Sequence, residues 1–193
     1  MPSIALPRSP LSAFLYEWAG LLCGLNLLAD HPGLVGRIFA LMRGQEEPVL
    51  EAVARRAPPL VHFADNLSAD TLGGLYEEHL RPVHEHRLSI LHRVGTRCAV
   101  HLDGSVKGLL DKVVEAGFEA VEALTPLPGG DLPVESMREE AGSDTVVLWG
   151  GVPGILFAPP FTWDAVAAHV RSVLRGDVSF CPKIADLIRE EGG

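Results

Sequence analysis

One junction recurs along this chain and narrows what it can fold into: an amphipathic helix ends at a glycine, and a short apolar strand follows. Gly95 comes before RCAVHLDG, Gly117 before FEAVEAL, Gly142 before SDTVVLWGG and Gly176 before DVSFCP. A glycine just past a helix end supplies the left-handed conformation that side-chain-bearing residues resist. Helices alternating with buried strands predict a parallel sheet built from βαβ units. Such sheets keep their chemistry at the carboxyl ends of the strands. Here those ends read Asp65-Asn66, His101-Leu102-Asp103-Gly104, Glu122, Gly150-Gly151 and Cys181.

The strands are expected near 4–6, 60–64, 97–101, 118–123, 145–149 and 177–181, about six in all. A closed (β/α)8 barrel needs eight strands in roughly 250 residues. With 193 residues and no linker or low-complexity tract, the chain reads as a single domain, 1–193, of α/β class. It is either an open doubly wound sheet or an incomplete TIM-type barrel. Between the strands, one helix is expected over Leu11–Leu28, and two more from Pro32 to about Arg43 and from Glu46 to Arg56. Another is expected from an N-cap at Ser68 to Val94, restarting at Pro82, and a last one begins after Thr162. Leu80, Val83, Leu88 and Leu91 share a face, as do Leu109, Leu110, Val113 and Val114. His84 and His86 do not share one, and HisGluHis reads as solvated surface.

The formal net charge of −9 argues against nucleic acid as a partner, since phosphate binding needs a basic face. Three cysteines are too few for a disulfide framework. No basic segment followed by an apolar core opens the chain, so the expected location is cytoplasmic. The Leu11–Leu28 run is interrupted by Glu17 and Asn26 and closed by Asp30, which disfavours a membrane span. It reads as a buried or partner-facing helix.

The stretch from Val61 to Glu122 resembles the uroporphyrinogen decarboxylase superfamily, which also contains cobalamin-dependent methyltransferases. AlaAspAsn at 64–66, HisLeuAspGly at 101–104, Gly150-Gly151 and PheAlaProProPheThrTrp at 157–163 carry the likeness. The resemblance implies a (β/α)8 barrel of which this chain matches the C-terminal portion. In the methyltransferase branch a zinc ion is held by a His-x-Cys pair and a later lone Cys. His101 and Cys181 stand at matching positions, with Asp103 where the first cysteine would be. The implied metal ligands are therefore His101, Asp103 and Cys181. Zinc accepts imidazole, carboxylate and thiolate.

Asp65 at a strand end is either a general acid or base or an Asx cap for the helix after Ser68. Glu122 is a further ligand, a partner to His101 or a salt-bridged rim residue. Gly150 and Gly151 let backbone approach a substrate or a tight turn closely. The leading expectation is zinc-dependent methyl transfer from a corrinoid protein to a small thiol substrate. The alternatives are a tetrapyrrole decarboxylase, and an inactive or split fragment that needs a complementary chain. A partial barrel leaves sheet edges exposed, so self-association is also expected.

Overall fold

The computed structural model describes residues 3–174. Its strands are β1 (Ile4–Leu6), β2 (Leu60–Leu67), β3 (Arg97–Leu102), β4 (Ala120–Leu124) and β5 (Val147–Gly150). They form one parallel sheet in the order β1-β2-β3-β4-β5, flanked by helices. The strand expected at 177–181 lies outside the described residues. By its contacts the chain divides into two compact units. One takes the chain up to Asn66 together with Leu75–Val100; the other takes Leu67–Gly74 and the chain from His101.

In the first unit β1 pairs with β2 in the register Ile4↔Val61, Ala5↔His62, Leu6↔Phe63. Val61, Phe63, Asp65 and Leu67 of β2 alternate inward, the period-2 signature of a strand with one covered face. A carboxylate thus occupies a core position.

The helix expected over Leu11–Leu28 is broken. α1 (Pro10–Ala13) runs into a π-helical turn at Phe14–Trp18, and α2 (Leu21–Asp30) starts anew. Gly20, at φ 76°, turns the chain between them. Leu11, Ala13, Phe14 and Leu15 are buried, whereas only Gly24 of α2 is. Conversely, the two helices expected from Pro32 to Arg56 are one, α3 (Pro32–Arg56). A glycine within a helix costs only about 1 kcal/mol. Val35 and Phe39 before Gly44, and Leu50 and Val53 after it, are buried on one inward stripe. Pro48 lies inside the same helix, where it has no N–H to give the carbonyl of Gly44 four residues earlier.

The helix expected from Ser68 to Val94 is also segmented. α4 (Ala69–Leu72) passes into a 3-10 turn at Gly73–Leu75, a π-helical turn at Tyr76–Leu80 and then α5 (Arg81–His92). Ser68 starts α4 through its backbone carbonyl, which accepts the Leu72 N–H at 2.9 Å; its side chain makes no cap bond. The restart at Pro82 is as expected, and Leu80, Val83, Leu88 and Leu91 are buried.

In the second unit α6 (Leu110–Glu115) buries Leu110 and Val113, and α7 (Met137–Ala141) buries Met137 and Ala141. α8 (Trp163–Leu174) is capped by the Thr162 hydroxyl, which accepts the Ala165 N–H at 3.3 Å. No helix among the described residues is long and apolar enough to cross a membrane.

Candidate functional site

The polar strand ends of the second unit gather around His101 and Asp103. His101 is the penultimate residue of β3, and Asp103 follows two residues later, so both start on the same face of the extended chain. His101 Nδ1 lies 2.6 Å from Glu122 Oε2, with both side chains a little over a quarter exposed. A carboxylate oxygen only accepts, so Nδ1 carries the proton and donates it, and the other ring nitrogen is Nε2. The exposed Asp103 carboxylate is tied differently. Its Oδ1 accepts the Gly104 N–H at 2.7 Å and the Thr125 hydroxyl at 2.8 Å.

Two partners three residues apart, Glu122 and Thr125, thus meet two residues that are only two apart. A regular strand would send Glu122 and Thr125 to opposite faces. The structure resolves the mismatch with a bulge. Val121 pairs with Leu148 and Leu124 with Gly150, so three steps on β4 match two on β5. Ala123, at φ 67°, carries the extra residue in the left-handed region. Val121 and Leu124 consequently both point inward and are buried, while Glu122 and Thr125 share the outer face.

Gly150 backs this bulge at φ 148°. A Cβ there would stand 2.3 Å from the Leu124 carbonyl oxygen and 2.7 Å from its nitrogen, closer than any side chain allows. Gly151 N–H donates to that same carbonyl at 2.9 Å. The close backbone approach expected of Gly150 and Gly151 is therefore made to β4. The loop after Asp103 is fixed by further carboxylates: Asp131 accepts the Val106 and Lys107 N–H groups at 2.9 and 3.2 Å, and Asp70 accepts the Ser105 hydroxyl at 2.6 Å.

Of the expected metal ligands, Cys181 lies outside the described residues. His101 and Asp103 are neighbours but are drawn to different partners. Among the described residues, Asp103 does not bring a ligand atom within 4.8 Å of both His101 and Glu122.

Asp65 belongs to the first unit, where it is fully buried. Its Oδ1 accepts the Ser9 N–H at 2.5 Å, and His84 Nε2 lies 2.8 Å from Oδ2. Arg87 Nη1 is 4.0 Å away, and Arg87 Nη2 pairs with Glu46 at 2.6 Å. Burial alone would raise the Asp65 carboxyl. The His84 hydrogen bond and charge, the Arg87 guanidinium and the Ser9 N–H outweigh it and hold the group well below the ordinary carboxylate range. Asp65 is turned into the interior and clamps the segment after β1 to the end of β2. Tyr76 lies over the same histidine, its hydroxyl 3.4 Å from His84 Nδ1, and burial pushes its phenol well above the usual value.

The solvated HisGluHis reading holds for His86, which is exposed and pairs with Glu47 at 2.9 Å, but not for the buried His84. Both His84 and Arg87 sit on the inward stripe marked by Leu80, Val83, Leu88 and Leu91. That spacing was the available signal for them. Thr125 and the Ala123 bulge left no such mark.

No protein-family model matches the chain, and no curated protein sequence matches it.

Proposed function

We propose that the chain is a uroporphyrinogen decarboxylase-type partial barrel that acts in zinc-dependent methyl transfer, from a corrinoid partner to a thiol substrate. The observation that supports this reading is the His101–Glu122 pair, 2.6 Å apart at adjoining strand ends. A histidine that donates one ring N–H to a carboxylate is the usual form of a zinc-ligating imidazole: the acid fixes the tautomer and raises the basicity of the ligand nitrogen.

His101 fits the metal through Nε2, and Glu122 stands behind it. By resemblance, Cys181 supplies the thiolate. When bound, zinc lowers the pKa of a coordinated thiol and leaves it a better nucleophile. The protein's own task is to hold His101 in one tautomer at a partly exposed strand end, where a small molecule can reach it. The sheet order and the polar carboxyl ends of β3 and β4 agree with a barrel-type arrangement of such a site.

The test combines the purified full chain, zinc, methylcobalamin and a small thiol, with the corrinoid spectrum followed in time. The reading expects zinc-dependent loss of the methylcobalamin absorbance with formation of a thioether, abolished in His101→Ala. Zinc bound without methyl transfer would overturn it, and carbon dioxide released from uroporphyrinogen would replace it with the decarboxylase reading.

A further inference from the structure

We infer that Asp103 is a loop clasp and not an ion ligand, and that the β4 bulge at Ala123 is the device that assigns the two roles. The inference takes the zinc reading of His101 as its starting point and departs from the expected ligand set.

His101 and Asp103 leave β3 on one face, two residues apart. Left to a regular ladder, only one of Glu122 and Thr125 would face them. The extra residue at Ala123 brings both to that face, and each takes one partner: Glu122 takes His101 at 2.6 Å and Thr125 takes Asp103 at 2.8 Å. Gly150 holds the bulge from behind, because any side chain there would strike the Leu124 backbone.

The Asp103 side is built as a clasp. Oδ1 takes two hydrogen bonds, from Gly104 N–H and the Thr125 hydroxyl, and these join the start of the β3–α6 loop to the end of β4. The remainder of the loop is fastened in the same manner by Asp131 and Asp70. Asp103 thus belongs with the loop fastenings. His101 and Glu122 form a pair whose chemistry faces a ligand, and Thr125 and Gly150 are positioning residues.

Asp103→Asn separates the two roles. The amide oxygen of asparagine still accepts both hydrogen bonds, but it is a much poorer ligand than a carboxylate. Cobalt(II), whose visible absorption reports a bound ion directly, is titrated into the wild type, Asp103→Asn, Glu122→Gln, Thr125→Val and Thr125→Ser. In parallel the low-field imidazole N–H proton of the short His101–Glu122 bond is followed by NMR, together with amide exchange at Gly104 and Ser105.

The clasp predicts that Asp103→Asn binds cobalt within about threefold of wild type and keeps the low-field proton. Glu122→Gln loses that proton and roughly 10–100-fold in affinity, the usual cost of removing the carboxylate behind a metal-bound histidine. Thr125→Val speeds exchange at Gly104 and Ser105, and Thr125→Ser restores it. An Asp103→Asn protein that folds but loses cobalt binding tenfold or more would overturn the inference, as would unchanged loop exchange in Thr125→Val. If the wild type binds no cobalt, the zinc reading fails instead. The proton and exchange patterns then decide the clasp on their own.

Discussion

Replacing Asp65 by alanine should be among the most damaging single changes in the first unit. The carboxylate is fully buried, and the two basic groups it faces are buried with it: His84 completely, and Arg87 to within 1% of full burial. Removing it takes away one of the two carboxylates that Arg87 faces among the described residues, and strips the Ser9 N–H and His84 Nε2 of the acceptors at 2.5 and 2.8 Å. Breaking a buried pair from one side costs about 3–5 kcal/mol. For a chain of this size each kcal/mol lowers Tm by about 2–4 °C, so the variant should melt about 6–20 °C below wild type.

The pH dependence follows from the direction of the shift. The folded carboxyl is held well below its unfolded value of about 3.9, so its stabilisation is complete above that value. It is lost as pH falls through the lower, folded value. Asp65's own contribution to the gap between wild type and Asp65→Ala should therefore be undiminished from neutral pH to about pH 5 and be lost only in stronger acid. Thermal melts by circular dichroism from pH 3 to 8 measure it. A variant within 1 kcal/mol of wild type at pH 7, or a gap already closed by pH 5, would overturn this picture of Asp65.

Other perturbations separate buried from exposed chemistry. Glu85→Ala removes a partner of Arg81 at 2.9 Å on an exposed helix face, and should leave the midpoint of a denaturant melt almost unmoved. Gly150→Ala, which places a methyl against the Leu124 backbone at an unfavourable φ, should destabilise the second unit and erase the His101–Glu122 proton signal even where circular dichroism shows the helices intact. Gly24→Val should cost more than Gly33→Val on steric grounds, since a Cβ at Gly24 stands 2.5 Å from Leu15 Cδ2 and one at Gly33 meets nothing within 4 Å. Trp18, Leu22 and Leu41 are each more than 60% exposed, which supports the expected self-association. Light scattering should show concentration-dependent growth that weakens in Leu22→Ser with Leu41→Ser; a wild type that stays monomeric would end that idea.

Much of the architecture was legible because it rests on local chemistry. The glycines before β3, β4 and β5 and the short apolar runs marked β1 to β5 to within a few residues, and Thr162 marked the start of α8. The helix breaks were not legible, because they turn on tertiary burial. Gly20 ends a helix where the chain leaves the core, whereas Gly44 passes through one held on both sides by buried Val35, Phe39, Leu50 and Val53. At the strand ends, the residue types pointed to His101, Asp103 and Glu122, but not to who partners whom. That is set by one inserted residue at Ala123, which looks like any other alanine in a strand. Asp65 shows the converse. Its place at a strand end suggested chemistry or a cap, while the alternation of β2 puts it on the inward face with Val61, Phe63 and Leu67.

X-ray absorption at the zinc edge of the purified, zinc-loaded full chain reads the proposed His101 ligation itself. Imidazole scattering should appear in the zinc shell, be lost in His101→Ala and be weakened with disorder in Glu122→Gln. A zinc spectrum identical in wild type and His101→Ala, or a wild type that retains no zinc after desalting, would contradict it.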